Sequence, residues 1–374
     1  MTALPDPQRV QLLRSAAGLT QLDVAQALDV PQGTIARFEA GANQLDPSKI
    51  QGLAAALSCE AALLAKPLPG LRTSRPWLRA YADASKRSVD QYMADTTIAA
   101  EVVVAIGLRP KPDKTLTFLG APADASDIEE YAGAIRAVAD VPEGEPVPNM
   151  TRASERLGCV LLPLESELGR HLGLSTRIDG RPYMRVSRPM ESVPGDRQRF
   201  TVAHELGHLV LHADSPPPSD AAESRSFERQ AHRFASAFLL PGDAFLEDVE
   251  REGKGRVTLA VLAALKVRWG VSIKAMVVRL QQLGRIDEDH ARSLYKQISA
   301  RGWNSSEPGH VGHEQAIWLR GALERKFPSA DPLADAAVVA GVRRSWLARW
   351  TQWEVADETL ADVVPLFPRL SGAN

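Results

Sequence analysis

The chain has 374 residues, 44 Lys and Arg against 46 Asp and Glu for a net charge of −2, and 44 % hydrophobic residues, a length that allows two or three domains and a composition of the soluble globular kind. No run of about 18 uncharged apolar residues is present, and Asp6 sits among polar residues near the start, so neither a membrane partner nor a signal peptide is expected. Cys59 and Cys159 lie far apart, which excludes a disulfide framework and a cysteine zinc site and points to a cytoplasmic protein.

Residues 6 to 65 read as five short helices. Within them, Gly18 to Gly41 contains two apolar-patterned helices joined by a tight turn, the first capped by Thr20. This helix-turn-helix resembles the repressor-like Xre family, whose second helix lies in the DNA major groove. That resemblance implies a phosphate contact for Gln21 and base or backbone contacts for Gln32, Thr34 and Arg37, with Glu39 and Gly41 as structural residues. Four cations (Arg9, Arg14, Arg37, Lys49) against six acids (Asp6, Asp23, Asp29, Glu39, Asp46, Glu60) give residues 1 to 65 a net of −2. Phosphate neutralisation supplies most non-specific affinity, so such a module should bind DNA weakly unless it forms a homodimer, or should serve instead as a docking module.

Lys66 to Gly70 reads as a linker. The following stretch carries Arg72, Arg75, Arg79, Lys86 and Arg87 among Trp77, Tyr81 and Tyr92, a pattern that suits a solvated helix face better than a nucleic-acid contact. A helix is expected around Asp90 to Ile106, then a break at Pro110 to Asp113.

From about Ser126 the pattern changes. Helical periodicity runs from Ile128 to Val138, and a short helix from Asn149 to Leu157 stops at Gly158. Cys159 to Leu164 reads as a buried strand. Thr176 to Val186 places Asp179 and Gly180 between two strand-like arms, a hairpin signal in which Pro182 suits an edge strand. An exposed edge there could accept an extended peptide.

Arg199 to His212 contains His204-Glu205-Leu206-Gly207-His208, an H-E-x-x-H core in an apolar run at helical spacing. Residues four apart share a helix face, so His204 and His208 can address one zinc ion, with Glu205 beside the open position. Two nitrogens are half of a tetrahedral site, so a third protein ligand is required. The next helical pattern offers Glu228, at the border of an apolar face made by Phe227, Ala231, Phe234, Ala235 and Phe238, and as runner-up His232 one turn on. His212 is too far along the helix to join His204 and His208, since eight residues rise about 12 Å; it should face the cleft or cap the helix end. Asp196 is the expected N-cap of this helix, which should stop near Asp214 before a proline loop. Together these elements make a small mixed sheet-and-helix unit.

Arg199 to His212, with Glu228 to Ala235 and Leu239-Leu240-Pro241, is similar to the ImmA/IrrE family of zinc metallopeptidases over roughly residues 125 to 305. In that family the second segment reads Glu-x-x-Ala-Asn-x-Phe-Ala, which implies Glu228 as the third ligand and puts His232 where Asn is usual. The resemblance implies Zn2+ as cofactor and peptide-bond hydrolysis, with zinc acidifying its water to a pKa of about 7 and Glu205 acting as general base. Tyr183, His171 and His212 are the oxyanion or substrate-contact candidates, on composition alone.

Leu259 to Trp269 and Val271 to Gly284, with Ser272 as cap and Gly284 as stop, form a second helix-turn-helix pattern; Ala291 to Trp303 adds a helix. Beyond Pro308, residues such as Trp318, Leu323, Trp346 and Trp350 line helices with a packing or sensing role. The whole reads as mainly α with a small α+β zincin-like core: a helix-turn-helix domain over 1–66, a connector over 67–124, a gluzincin-like peptidase core over 125–245, a helical module over 246–305 and a helical C-terminal domain over 306–374. Two functions follow. One is a zinc endopeptidase fused to a DNA-binding domain, which the resemblance implies cuts a helix-turn-helix repressor in stress or mobile-element control. The other is a transcriptional regulator that senses through a peptidase fold without cutting.

Overall fold

A computed structural model of the chain describes residues 4–74, 86–109, 119–164, 172–189, 192–213, 215–216 and 218–353. The expected N-terminal helices form as α1 (Pro7–Ala16), α2 (Gln21–Leu28), α3 (Gln32–Glu39), a 3-10 turn (Pro47–Lys49), α4 (Ile50–Ala56) and α5 (Ala61–Leu64). Thr20 and Asp23 make a reciprocal capping box on α2, and Asp29 ends that helix in the left-handed conformation, which sets the turn into α3.

The connector helix α6 (Lys86–Ala105) is already helical four residues ahead of the expected start at Asp90. It is bound to α1 through Arg9, whose side chain is fully buried, pairs with Glu101, and donates to the Lys66 and Pro67 carbonyls at 3.0 and 2.9 Å. Then come α7 (Ala125–Val138), α8 (Met150–Arg156) and three strands, β1 (Val160–Leu164), β2 (Gly173–Ile178) and β3 (Arg181–Ser187).

The strand order is β1-β3-β2, with β3 parallel to β1 and antiparallel to β2. The hairpin forms at Asp179 and Gly180, both at positive φ (48° and 75°), the combination that two-residue hairpin loops require. Pro182 was expected at an edge and lies instead in the central strand. The sheet tolerates it because β1 begins opposite Tyr183, so at Pro182 only the β2 side is paired.

Alternation along the strands divides the molecule. Leu161, Met184 and Val186 face the larger apolar cluster, whereas Val160, Leu162, Ile178 and Tyr183 face a second one. The first side carries α9 (Gly195–Leu211), α10 (Ala221–Leu239), α11 (Gly242–Gly253), α12 (Leu259–Trp269), α13 (Ile273–Gln282) and α14 (Glu288–Ala300). The second carries α6 and the terminal helices α15 (Trp318–Lys326), α16 (Pro332–Ala340) and α17 (Arg344–Thr351).

The C-terminal helices therefore share one core with the helix-turn-helix. Leu319, Leu323, Leu347 and Trp350 join Val10, Leu13 and Leu57 in a single cluster, and the backbone bonds Glu60 N–H to Gly341 O (3.0 Å) and Arg343 N–H to Ser58 O (3.1 Å) stitch the two ends together. Asp95 of α6 is the polar centre of this side. It accepts from Arg185 of β3, from Arg349, and from Trp350 Nε1 at 3.1 Å.

Asp196 does not cap α9. Pro194 holds the cap position, and Asp196 is buried in the first turn against Lys266 Nζ at 2.7 Å. The segment around residue 312 crosses this helix start so closely that a Cβ on Gly195 would lie 2.3 Å from the Val311 carbonyl oxygen. Only glycine permits that crossing. Glu314 completes the anchor by pairing with Arg199 and accepting the Thr151 N–H at 2.7 Å. The helix ends at Leu211, short of Asp214, which lies outside the described residues. Among the described residues no helix is long and apolar enough to cross a membrane.

Candidate metal centre

The antiparallel approach of α9 and α10 depends on Gly207. A Cβ there would sit 3.1 Å from Phe234 Cδ1 and 3.2 Å from Ala231 Cα, tighter than ordinary packing. The short interhelical distance carries Glu228 over the histidine face of α9. His204 Nε2 and His208 Nε2 are 3.1 Å apart, Glu228 Oε2 is 3.5 Å from the first, and Glu228 Oε1 is 3.6 Å from the second. Metal bonds of about 2.0–2.1 Å at tetrahedral angles put donor atoms ~3.3 Å apart, and these separations, the last two to different oxygens of Glu228, are compatible with a shared cation. The chemistry of the donor set agrees, because two imidazole nitrogens brought face to face need a shared proton or a cation between them.

His232 stands at the same opening. One donor atom each from His204, Glu228 and His232 lies within 4.8 Å of the others, and the His232 ring centroid is 4.5 Å from that of His204. The two groupings share His204 and Glu228. His208 is buried and His232 is exposed, so the two differ in their access to solvent. Burial of Glu228 works against its charge, yet bonding to the His204 and His208 rings holds its carboxyl well below the usual range.

Glu205 points from α9 to the sheet. Burial pushes its carboxyl up to about 7, against the lowering influence of His204 and of Ser175, whose hydroxyl donates to Oε2 at 2.6 Å. Gly173, two residues earlier on β2, leaves room for this carboxylate: a Cβ there would be 2.8 Å from Glu205 Cγ and 2.9 Å from Oε1. Sequence reading missed both Ser175 and Gly173. The hairpin fixes their alternation, but which face of β2 meets α9 is a tertiary fact.

The three contact candidates fare differently. Tyr183 is buried on the face of β3 opposite α9, within the cluster shared with the helix-turn-helix, and burial pushes its phenol up to about 12; it has no access to the metal side. The period-2 alternation of the strand puts it there, since its neighbour Met184 takes the α9 side. His212 does cap α9, its N–H bonding the His208 carbonyl at 2.9 Å, but it is fully buried and faces no cleft. It lies behind His208, with Nδ1 atoms 3.1 Å apart and its Nε2 2.8 Å from Gln230 Oε1. Burial holds its pKa down to about 3, with His208 adding to the effect. His171 lies outside the described residues.

At the other end, Gln32 and Arg37 of α3 are exposed and Thr34 is half-buried. Gln21 accepts from Gln32 Nε2 at 3.0 Å and donates to Glu39 at 2.9 Å, while Glu39 receives Arg14 in a fork of 2.6 and 2.8 Å. A cleft of about 1190 Å³ between α1, α2 and α6 is lined by Gln21, Gln32, Lys86 and Arg87. It contains none of the metal-site donors, so size does not mark the chemistry here.

Comparison with protein families matches residues 154–281 to the IrrE N-terminal-like domain of the M78 peptidases and residues 8–66 to a helix-turn-helix domain. The chain carries an IrrE-type peptidase domain behind a helix-turn-helix. This is the ImmA/IrrE arrangement that the motifs resemble. The peptidase match spans β1 to α13 and so includes His204, Glu205, His208 and Glu228. No curated protein matches the chain.

Proposed function

We propose that the chain is a zinc-dependent endopeptidase that regulates transcription by limited proteolysis of a repressor-type, helix-turn-helix protein. The observation that carries the reading is the convergence of His204, His208 and Glu228 at 3.1 to 3.6 Å, with a buried carboxylate, Glu205, beside them. His204, His208 and Glu228 would hold the metal. Bound there, zinc would supply Lewis-acid polarisation of a carbonyl and a lowered pKa for water.

The chain's own residues do the rest. Glu205 takes the proton of the attacking water on a carboxylate oxygen and returns it to the departing amine. Ser175 holds Oε2, leaving Oε1 to move the proton. An extended substrate would add along β2 at Gly173 and Ser175, the positions nearest Glu205. The chain uses the same mode on itself further along, where Thr73 pairs with Ile178 and the Ser74 N–H bonds the Arg177 carbonyl at 2.8 Å.

On the DNA side, Gln21, Gln32, Thr34 and Arg37 form the reading surface. Lys86 and Arg87 border the same cleft and add the positive charge that residues 1 to 65 lack. A homodimer would double these phosphate contacts. The shared core of helix-turn-helix and sheet favours a second reading, a DNA-binding sensor that does not cut.

Glu205→Gln separates the two. The protein would be co-expressed in the cytoplasm of a heterologous host with repressor-type proteins encoded beside its gene, and fragments sought by mass spectrometry. Proteolysis predicts fragments with the native chain and none with the variant, at equal zinc content. Unchanged regulation by the variant would leave the sensor reading standing.

A further inference from the structure

The second ring nitrogen of His208 meets a ring nitrogen of His212, and the other ring nitrogen of His212 meets an amide oxygen in turn. The contacts run from His208 Nδ1 to His212 Nδ1 at 3.1 Å and from His212 Nε2 to Gln230 Oε1 at 2.8 Å. Among the described residues, the corresponding Nδ1 of His204 is buried with no hydrogen-bond partner. The relay crosses from the end of α9 to α10, two residues beyond Glu228, and is closed off by the Phe227 ring, 4.6 Å from that of His212.

Proton direction along this relay is forced. A neutral imidazole carries one N–H and one bare nitrogen, and an amide oxygen only accepts. With Gln230 Oε1 facing His212, the His212 proton is on Nε2 and its Nδ1 is bare. His208 must then donate from Nδ1, which leaves His208 Nε2 bare and aimed at Glu228 and His204. Turning the Gln230 amide over reverses every step and puts a proton on His208 Nε2, between it and any cation. The orientation of one amide thus decides whether His208 can be a ligand.

We propose that His212 and Gln230 are positioning residues that lock His208 in its Nδ1–H tautomer and so hold its Nε2 ready for the metal. The inference rests on the zinc-site reading above and adds a function for two residues that touch no substrate. Partners behind a ligand commonly change metal affinity by about 10- to 100-fold.

The test uses the full chain. His212→Phe keeps an aromatic ring against Phe227 and removes the acceptor; Gln230→Glu keeps an acceptor, and Gln230→Lys substitutes a donor. Zinc affinity is measured by competition with a chromophoric chelator, and His tautomers by long-range nitrogen–proton NMR on the zinc-loaded and metal-free protein. The expected result is zinc binding weakened by about 10- to 100-fold in His212→Phe and Gln230→Lys, wild-type or tighter in Gln230→Glu, with His212 showing an Nε2–H signal. A purely structural role would weaken Gln230→Glu along with the others. An Nδ1–H signal from His212, or equal affinity in His212→Phe and wild type, would overturn the proposal while leaving the zinc site intact. Failure of the wild type to bind zinc would overturn both.

Discussion

Gly173→Ala should displace the Glu205 carboxylate, the proposed general base, without touching a metal-ligand candidate. The added Cβ would stand 2.8 Å from Glu205 Cγ and from Thr201 Cγ2, where relaxed carbon contacts need about 3.5–4.0 Å. Glu205 or the strand must retreat by roughly 0.7 Å or more, at a cost of about 1–3 kcal/mol for overpacking. A catalytic group misplaced by that much loses about 10²-fold in rate. The assay is the initial rate on a pool of fluorogenic peptides, beside a zinc titration and a urea melt. The expected signature is a kcat lower by about two orders of magnitude at unchanged zinc affinity. A kcat within threefold of wild type would refute the placement of Gly173 against Glu205, and a loss of zinc would refute the separation of base from ligands.

Other parts of the account predict distinct outcomes. Asp95→Ala removes the acceptor for Arg185, Arg349 and Trp350 and leaves the Arg185 charge buried, so urea unfolding should register a loss of about 3–5 kcal/mol; a loss below about 1 kcal/mol would contradict it. Burial pushes the Cys59 thiol up to about 12 and raises Cys159 as well, so neither thiolate is populated at pH 8, and a disulfide-exchange reagent should label both only after unfolding. Rapid labelling of the native chain at that pH would place one of them at the surface. Replacing Lys86 and Arg87 together by alanine should flatten the salt dependence of duplex binding by about one to two units of slope, whereas an unchanged slope would remove both from the interface.

The metal half of the site was legible because its spacing is local. Residues four apart on a helix share a face in any fold, so His204 and His208 follow from the chain itself. Glu228 needed a second helix at the right distance, and its position at the edge of an apolar stripe pointed to it. Gly207, which sets that distance, was visible only inside the motif. The supporting residues were not legible. Ser175, Gly173 and Gln230 act through contacts across 18 to 32 positions, and alternation alone does not say which strand face meets α9.

Helix ends were readable where side chains cap them, as at Thr20 and Ser272, and misread at Asp196, where an ion pair with Lys266 competes for the carboxylate. The partnership of the two chain ends carried no sequence signal. It arises because α17 buries Trp346 and Trp350 in the cluster on the sheet face opposite α9, where Leu319 and Leu323 of α15 also pack.

Zinc stoichiometry of the purified chain tests the central claim most directly. Elemental analysis after dialysis against trace zinc should give one zinc per wild-type chain, one per chain for His232→Ala, and a large loss for Glu228→Ala. A wild type that takes up no zinc, or a Glu228→Ala variant that binds it as tightly as wild type, would contradict the account.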